Sequence, residues 1–578
     1  MIKPRRFAIV WAFSVILFGF VVARLSYLQI VCHTKLAARA ERETERMDFE
    51  VEPRGEILDR SGRVLAMSIE GGSCYADPQE VRNTAETSRA LSAMLNVPAG
   101  VIKTRLSEQK KFVWIARRLD PETSQKIINM HLAGIKIVPE SKRFYPEETL
   151  AAQVLGVVGE NQRGLSGVEQ MADGWLRGCS IPFLFKTRRL GPPASFHAAG
   201  NVPVAPRSLV LSLDRTLQYI AEQELAAQMV ISRPKSGTVV IEDPETGEIL
   251  AMASAPTFDP NLIGTSGARD LSPEVLMNSA VEKVFEPGST FKLITASAAL
   301  EQHIFKPTDR FYCENGSWQH DGRTIHDHEK EEWLTFTQVI SHSSNIGTAK
   351  VSLKVGQENL YRYARAFGFG IPSGCGLPGD GAGILRSIDQ WHQGSLLTIA
   401  FGQEVAATPL QIVNAYCAIA NNGFLMEPRI CRGVVDDRGV YREWPVGKPI
   451  RRVVSAGTAE TVRRILRDVV ENGTGKAASV QGVIVGGKTG TAQKIDPRTR
   501  QYSPDKYMAS FCGMAPLDHP RIVVGIFLDE PSRAQWGGSE AAPVFARIVR
   551  AAASYLHFDA DVVPPAVVLK ASPGRIHT

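Results

Sequence analysis

Residues 285–302 read FEPGSTFKLITASAALEQ. Pro287-Gly288 is a natural helix start, and the residues that follow are helix formers with apolar groups on every side, so the pattern predicts a buried helix over 289–302. Ser289 falls in its first turn, and Lys292, three positions on, projects from the same face. A hydroxyl is a poor nucleophile until a base takes its proton. A lysine can be that base where burial and nearby positive charge lower its pKa toward neutrality. The helix N-terminus adds positive potential for a developing oxyanion. A serine and a lysine at this spacing also occur by chance in most long chains, as an ordinary exposed pair.

The flanking patterns place this helix in a mixed fold. LVLSLDRTLQYIAEQELAAQMV (209–230) reads as a short strand running into an amphipathic helix, and GTVVIEDPETGEILAMAS (237–254) as a β-hairpin turning at PETG. Helical periodicity recurs near 335–342, 353–367, 408–421 and 457–471, the last closing at Asn472-Gly473. VIVGGKTGTAQK (483–494) and RIVVGIFLDE (521–530) read as strands, and APVFARIVRAAASYLHF (542–558) as a closing amphipathic helix. Strands at both ends of 233–558 with helices between them predict one α+β or α/β unit. Its first hairpin and last strands share a sheet, with helices covering both faces.

The whole chain has 578 residues, too many for one compact core. Its composition is 44% apolar and 22% charged, which rules out wholesale disorder, collagen and coiled coil. A net charge of +6, from 66 basic and 60 acidic residues, is too mild at this length to argue for a nucleic-acid partner. Cysteines 32, 74, 179, 313, 375, 417, 431 and 512 form no CxxC pair, so neither a disulfide framework nor a zinc finger is expected.

Phe7 to Ala23 (FAIVWAFSVILFGFVVA) carries no charge and is long enough to span a bilayer as a helix. Lys3, Arg5 and Arg6 precede it, which favours an inside N-terminus with the rest of the chain exported. A cleaved signal peptide is the alternative; the length of the run and Arg24 directly after it favour an uncleaved anchor. Beyond it, RGEILDRSGRVLA (54–66), KRFYP (142–146) and GLSGVE (164–169) mix turn residues with charges, as contacts between elements do. GPPASFHAAGNVPVAP (191–206) reads as an exposed linker, and the Pro-containing tail beyond 558 as loosely ordered.

Three further stretches carry chemistry. Ser343-Ser344-Asn345, in ISHSSNIG, lies where a helical pattern breaks; Ser343 could relay a proton and Asn345 could donate to a substrate carbonyl, although Ser/Asn turns are common. Lys488-Thr489-Gly490-Thr491 lies in VGGKTGTAQ. The run Gly482 to Thr489 also matches the phosphate-binding loop GxxxxGKT letter for letter, but Val483-Ile484-Val485 is strand-like and a β-prone run stands where that loop requires a helix. On a sheet edge, Gly487 and Gly490 would instead let a substrate backbone approach. Cys313, His320, Asp321, His326, Asp327 and His328 are residue types that suit zinc, in a spacing that matches no standard signature; a polar loop is the preferred reading.

Taken together, SxxK, SxN and KTG in this order are the signature of penicillin-binding proteins and serine β-lactamases. The N-terminal anchor, RGEILDRSGRVLA, RFYP, GLSGVE, TGEILAMAS, PTFDPN, FEPGSTFK and AAPVF extend the resemblance over most of the chain, to the class B penicillin-binding proteins and most closely their division-specific FtsI branch. Asn278-Ser279-Ala280 departs from the family's usual Asn-Arg-Ala. No glycosyltransferase-like domain or PASTA repeat is expected. The resemblance implies a cytoplasmic tail (1–6), a transmembrane anchor (7–29), a pedestal of the dimerisation type (30–206), a transpeptidase domain (207–558) and a flexible tail (559–578). It implies a penicillin-binding transpeptidase fold, an antiparallel sheet with helices on both faces, and a peptidoglycan D,D-transpeptidase at the bacterial inner membrane. The expected substrates are stem peptides ending in D-Ala-D-Ala, and β-lactams are expected to inhibit. No metal or organic cofactor is implied, and the expected partners are an FtsW-type glycosyltransferase and other division proteins. The implied roles are nucleophile for Ser289, base for Lys292, proton delivery for Ser343, and substrate and lysine contacts for Asn345. Lys488, Thr489 and Thr491 would bind the terminal carboxylate, Gly490 would give the substrate backbone room, and the backbone N–H groups of Ser289 and Thr491 would form the oxyanion hole. An elongation-type enzyme, a β-lactamase or a largely non-catalytic division scaffold are the competing readings.

Overall fold

The computed structural model describes residues 4–27, 53–178 and 206–558, apart from 96, 109, 111, 160–161, 264–271, 321, 448, 497, 500 and 533–535; within 4–14 it describes the side chains of Trp11 and Phe13 only. Most of the 191–206 linker, the tail beyond 558 and Asp321 therefore lie outside the described residues. The chain divides into two units, Met1–Glu52 and Pro53–Thr578. In the first, helix α1 (Pro4–Ser26) takes in residues 7–26 of the expected 7–29 anchor, and Trp11, Ile16, Phe18 and Phe20 are exposed on it. Among the described residues no helix is long and apolar enough to cross a membrane.

The second unit begins with β1 (Ile57–Leu58) and β2 (Val64–Ala76), the latter paired antiparallel with both β3 (Val113–Leu119) and β4 (Ile135–Phe144). Cys74, Leu91, Ile102, Leu106, Ile115 and Ile127 form a small core beneath these strands. β1 also pairs in parallel with β5 (Ser208–Leu211), and β5 antiparallel with β8 (Cys431–Val435), which pairs in turn with β9 (Tyr441–Glu443), so one sheet runs across position 207, where the sequence suggests a boundary. The three polar stretches meet nearby around one buried carboxylate. Glu169 accepts from Arg54 Nε at 2.5 Å and from Arg143 Nε at 2.6 Å, and Arg54 Nη1 also reaches Asp173 at 2.6 Å. Buried charges persist only when paired in this way.

A five-stranded antiparallel sheet forms the larger part. Its strands are β6 (Ser236–Glu242), β7 (Ile249–Ala255), β10 (Gly486–Ile495), β11 (Tyr502–Ala515) and β12 (Ile522–Asp529), in the order β10-β11-β12-β6-β7. The hairpin and the late strands thus share a sheet, as the sequence pattern implies. On one face Val239, Ile241, Val524, Ile526 and Phe511 pack with helix α2 (Arg215–Ser232) and helix α7 (Ala542–Leu556). On the other, Val240, Val523, Phe527 and Cys512 pack with helices α3 (Lys292–Glu301), α5 (Pro409–Ala420) and α6 (Ala456–Glu471). Successive strand residues point to opposite faces, and both faces are covered, which explains the near-continuous apolar runs of β6 and β12.

Two sequence expectations change. The 353–367 helix is broken at Gly356, whose φ of +80° ends helix α4 (Asn345–Val355) before a second helix, Gln357–Ala366. Val483–Val485 is not strand: Val480 and Val483 form an isolated bridge, and β10 starts at Gly486. The phosphate-loop reading still fails, because β-structure and not a helix follows Lys488-Thr489.

Candidate active site

Ser289 sits in a 3₁₀ turn, Gly288–Phe291, that leads into α3, rather than in the first α-helical turn. The turn is fixed from below. Phe291 is fully buried against Phe369, and the buried Tyr416 hydroxyl donates to Thr290 O at 3.0 Å. Gly288 has φ +55°, and its N–H donates to Gly402 O at 3.1 Å. Ser289 is left half-exposed at the surface of the turn.

Ser343 is where the three motifs meet. Its Oγ donates to Ser289 Oγ at 2.9 Å and accepts from Lys292 Nζ at 3.1 Å and from Lys488 Nζ at 3.0 Å. Residues 54 and 145 positions apart in the chain are thus brought within hydrogen-bond reach of one hydroxyl. Lys292 Nζ also donates to Ser343 O at 2.5 Å and to Asn345 Oδ1 at 2.9 Å. Ser343 adopts a positive φ of 62°, which is unusual for a residue with a side chain and is a form of strain that tends to collect at functional sites.

Both lysines are fully buried. Burial pushes the Lys292 amine down to about 7, against the opposing pull of the Asp327 charge and Cys313. Burial, and then the charge of Lys292, holds Lys488 well below its usual range. Two buried amines donating to one hydroxyl therefore favour a single positive charge between them, not two. A neutral Lys292 has the lone pair that a general base needs.

The KTG segment lies on β10, the edge strand of the sheet, against the Ser289 turn. An edge strand presents unpaired N–H and C=O groups to which an extended peptide can add. Thr489 is buried, shares a 2.7 Å hydrogen bond with Thr474 Oγ1 and accepts from Lys488 Nζ at 3.3 Å. Thr491 Oγ1 accepts from Gly537 N at 3.1 Å. The chain's own packing also demands glycine here. A Cβ at Gly487 would stand 2.5 Å from the Phe511 ring; at Gly490 it would stand 2.3 Å from Ser510 Oγ and 3.0 Å from Thr290 Cγ2. Both positions are small because the chain's own packing leaves no room.

The zinc-type cluster is spent differently. Asp327 caps α4, accepting from Asn345 N at 2.5 Å, Ile346 N at 2.9 Å and Ser344 Oγ at 2.5 Å. Cys313 is buried and accepts from Ser344 Oγ, and the His328 ring lies 4.0 Å from that of Trp536. Among the described residues no three such side chains are placed to hold an ion. Sequence reading missed Asp327 in this role, along with Gly402, Tyr416 and Thr474. None of them belongs to a motif, and only the fold brings them to the site.

A half-buried serine hydroxyl, a second hydroxyl shared by two buried amines and an adjoining sheet edge have the layout that acyl transfer needs. The comparisons agree. The family model for the penicillin-binding protein transpeptidase domain matches residues 237–550, and that for the penicillin-binding protein dimerisation domain matches residues 50–180. Penicillin-binding protein PbpB of Mycobacterium tuberculosis is 35% identical over 559 residues, covering 91% of this chain and 81% of that protein. Peptidoglycan D,D-transpeptidase FtsI of Escherichia coli is 30% identical over 573 residues, covering 96% and 93%. The crystal structure of penicillin-binding protein 3 from M. tuberculosis, complexed with ampicillin, aligns with TM-score 0.69 at 32% identity, covering 89% and 97%. The chain belongs to the class B penicillin-binding proteins, the peptidoglycan D,D-transpeptidases of the FtsI type.

Proposed function

We propose that this chain crosslinks peptidoglycan stem peptides through an acyl-enzyme on Ser289. The observation that carries the assignment is the single hydroxyl of Ser343 lying 2.9, 3.1 and 3.0 Å from Ser289 Oγ, Lys292 Nζ and Lys488 Nζ. A stem ending in D-Ala-D-Ala adds along β10, its terminal carboxylate beside Lys488, Thr489 and Thr491. Arrival of that carboxylate favours protonation of Lys488. Ser289 Oγ attacks the penultimate carbonyl, and its proton goes to neutral Lys292. In this geometry the route runs through Ser343 Oγ, whose hydrogen turns to suit. The oxyanion forms against the N–H groups of Ser289 and Thr491. Collapse breaks the C–N bond, and Ser343 returns the proton to the departing D-Ala amine. An amine from a neighbouring stem then gives its proton back along the same route and attacks the ester, forming the crosslink and freeing Ser289. The strained ring of a β-lactam enters as the donor does and leaves a slow acyl-enzyme.

Septal synthesis is the setting supported by the FtsI-type relatives. In this reading the apolar 7–29 segment is a single-pass anchor in the bacterial inner membrane, N-terminus inside, and the rest of the chain faces outward. The segment before residue 207 is the pedestal that contacts an FtsW-type glycosyltransferase and other division proteins, and 207–558 is the catalytic domain. A fluorescent penicillin should label the protein covalently, and Ser289→Ala should abolish the label; equal labelling of that variant would sink the nucleophile assignment. Depletion in cells should give filaments, whereas rounded cells would place the protein in elongation.

A further inference from the structure

Asp327 lies outside the three motifs, yet it is tied to two of them. The antiparallel hairpin of Ser317–His320 and Arg323–His326 ends at this residue and delivers it to the start of α4. One carboxylate oxygen accepts from the backbone N–H groups of Asn345 and Ile346, and the other from Ser344 Oγ. The preceding carbonyl, His326 O, accepts from Asn345 Nδ2 at 3.0 Å. The hairpin end thus holds both the backbone and the side-chain amide of Asn345. The amide orientation this fixes turns Asn345 Oδ1 toward Lys292 Nζ, 2.9 Å away. The same grip sets the loop in which Ser343 takes its positive φ and reaches Ser289.

The carboxylate also acts through its charge. The titratable groups facing Lys292 are Asp327 on this loop, Cys313 beside it, and Lys488 on β10. Asp327 is the negative charge that acts on Lys292 most strongly. The hydrogen-bond partners of Lys292 Nζ, Ser343 and Asn345, are uncharged.

We propose that Asp327 is a positioning residue for acyl transfer, holding the Ser343–Asn345 loop in register with Ser289 and balancing the charge of the lysine pair. The inference rests on Lys292 acting as the base. Removing the negative charge destabilises protonated Lys292, so the pH below which the base is lost moves down. A purely structural cap would lower the rate without moving that limb.

The test is the second-order rate of labelling by a fluorescent penicillin, from pH 5 to 9, on the full chain in detergent. For Asp327→Asn the plateau should fall about 10- to 100-fold, because small misplacements of reacting groups cost that much, and the acid limb should move down by about one pH unit. For Ser344→Ala, which removes one contact but keeps the charge, the plateau should fall less and the limb should stay. An Asp327→Asn variant with an unmoved limb, or with a wild-type plateau, would overturn the proposal. So would one that thermal melting shows to be unfolded, since the carboxylate would then be a folding requirement and not a tuning group. A wild-type protein that takes no label would instead refute the proposed function, which separates the two failures.

Discussion

Gly402 carries a prediction that tests how tightly the nucleophile turn is built. Its φ is +86°, and its carbonyl accepts the Gly288 N–H at 3.1 Å. A Cβ at this position would stand 2.1 Å from Gly288 O, 2.7 Å from Gly288 N and 2.8 Å from Gly288 C. All three are backbone atoms, so no side chain can swing aside. Bringing the shortest contact from 2.1 Å to an ordinary 3.4 Å needs about 1.3 Å of relative displacement between the two segments. Left-handed backbone costs an alanine a further 1–2 kcal/mol or so. Gly288 is the residue before Ser289, and Ser289 Oγ is only 2.9 Å from Ser343 Oγ. A shift of that size breaks the hydrogen bond, and misplacement by about 1 Å costs roughly 100-fold in rate. Gly402→Ala should therefore lower the penicillin acylation rate by about two orders of magnitude, measured per folded molecule after a urea titration. Gly457→Ala is the control. That glycine lies within α6 with nothing within 4 Å of its added methyl, so the substitution should leave the rate alone and add about 0.5–1 kcal/mol of stability. A wild-type acylation rate in folded Gly402→Ala would refute the reasoning that the Gly288–Gly402 contact sets the position of the nucleophile.

Two further substitutions probe buried charge. Glu169→Ala leaves Arg54 and Arg143 buried without the carboxylate that both hold, and should cost about 3–5 kcal/mol in denaturant unfolding; a loss below about 1 kcal/mol would mean that water or Asp173 replaces it. Lys292→Met should flatten part of the pH dependence of stability. Between about 7 and the ordinary lysine value of 10.5 the unfolded chain binds a proton at Lys292 that the folded chain does not, so wild-type stability rises with pH across this window, by up to about 1.4 kcal/mol per pH unit. The Met variant lacks that slope and should be the more stable protein at pH 7; identical slopes in thermal or urea unfolding would count against the lowered Lys292 value.

The parts of this molecule that could be read in its sequence are those set by local pattern or by residue chemistry. The apolar runs of β6 and β12 announce strands buried on both faces, and the order of the motifs singles out Ser289, Lys292, Ser343 and Lys488, which the fold brings within hydrogen-bond reach of one another. What could not be read depends on contacts between distant segments. β1 is two residues long, too short to show a period, and its partner β5 is about 150 residues away. Val483-Ile484-Val485 has strand propensity, but the Val480–Val483 bridge turns the chain before β10 begins. Asp327 reads as one polar loop residue among histidines until the hairpin before it closes and delivers it to α4. Gly487 and Gly490 look like clearance for a ligand until Phe511, Ser510 and Thr290 fill the space behind them.

The same division explains why the conformation of Ser343, and not its identity, is the least legible feature of the site. Nothing in the letters Ser-Ser-Asn requires a positive φ, and at a serine such a φ costs about 1–2 kcal/mol. That conformation points Ser343 O and Oγ together at Lys292 while Oγ still reaches Ser289 and Lys488. An extended or helical serine at 343 would lose at least one of those four contacts. The surrounding structure must therefore hold the residue there, and it does so from both ends: Ser343 N bonds back to Ile340 O at 3.2 Å, and the next residues are gripped by Asp327. The lysines add to the demand, since each is buried with its amine directed at this one loop. Site geometry here is a property of the loop's anchors, Asp327 among them, as much as of its three letters.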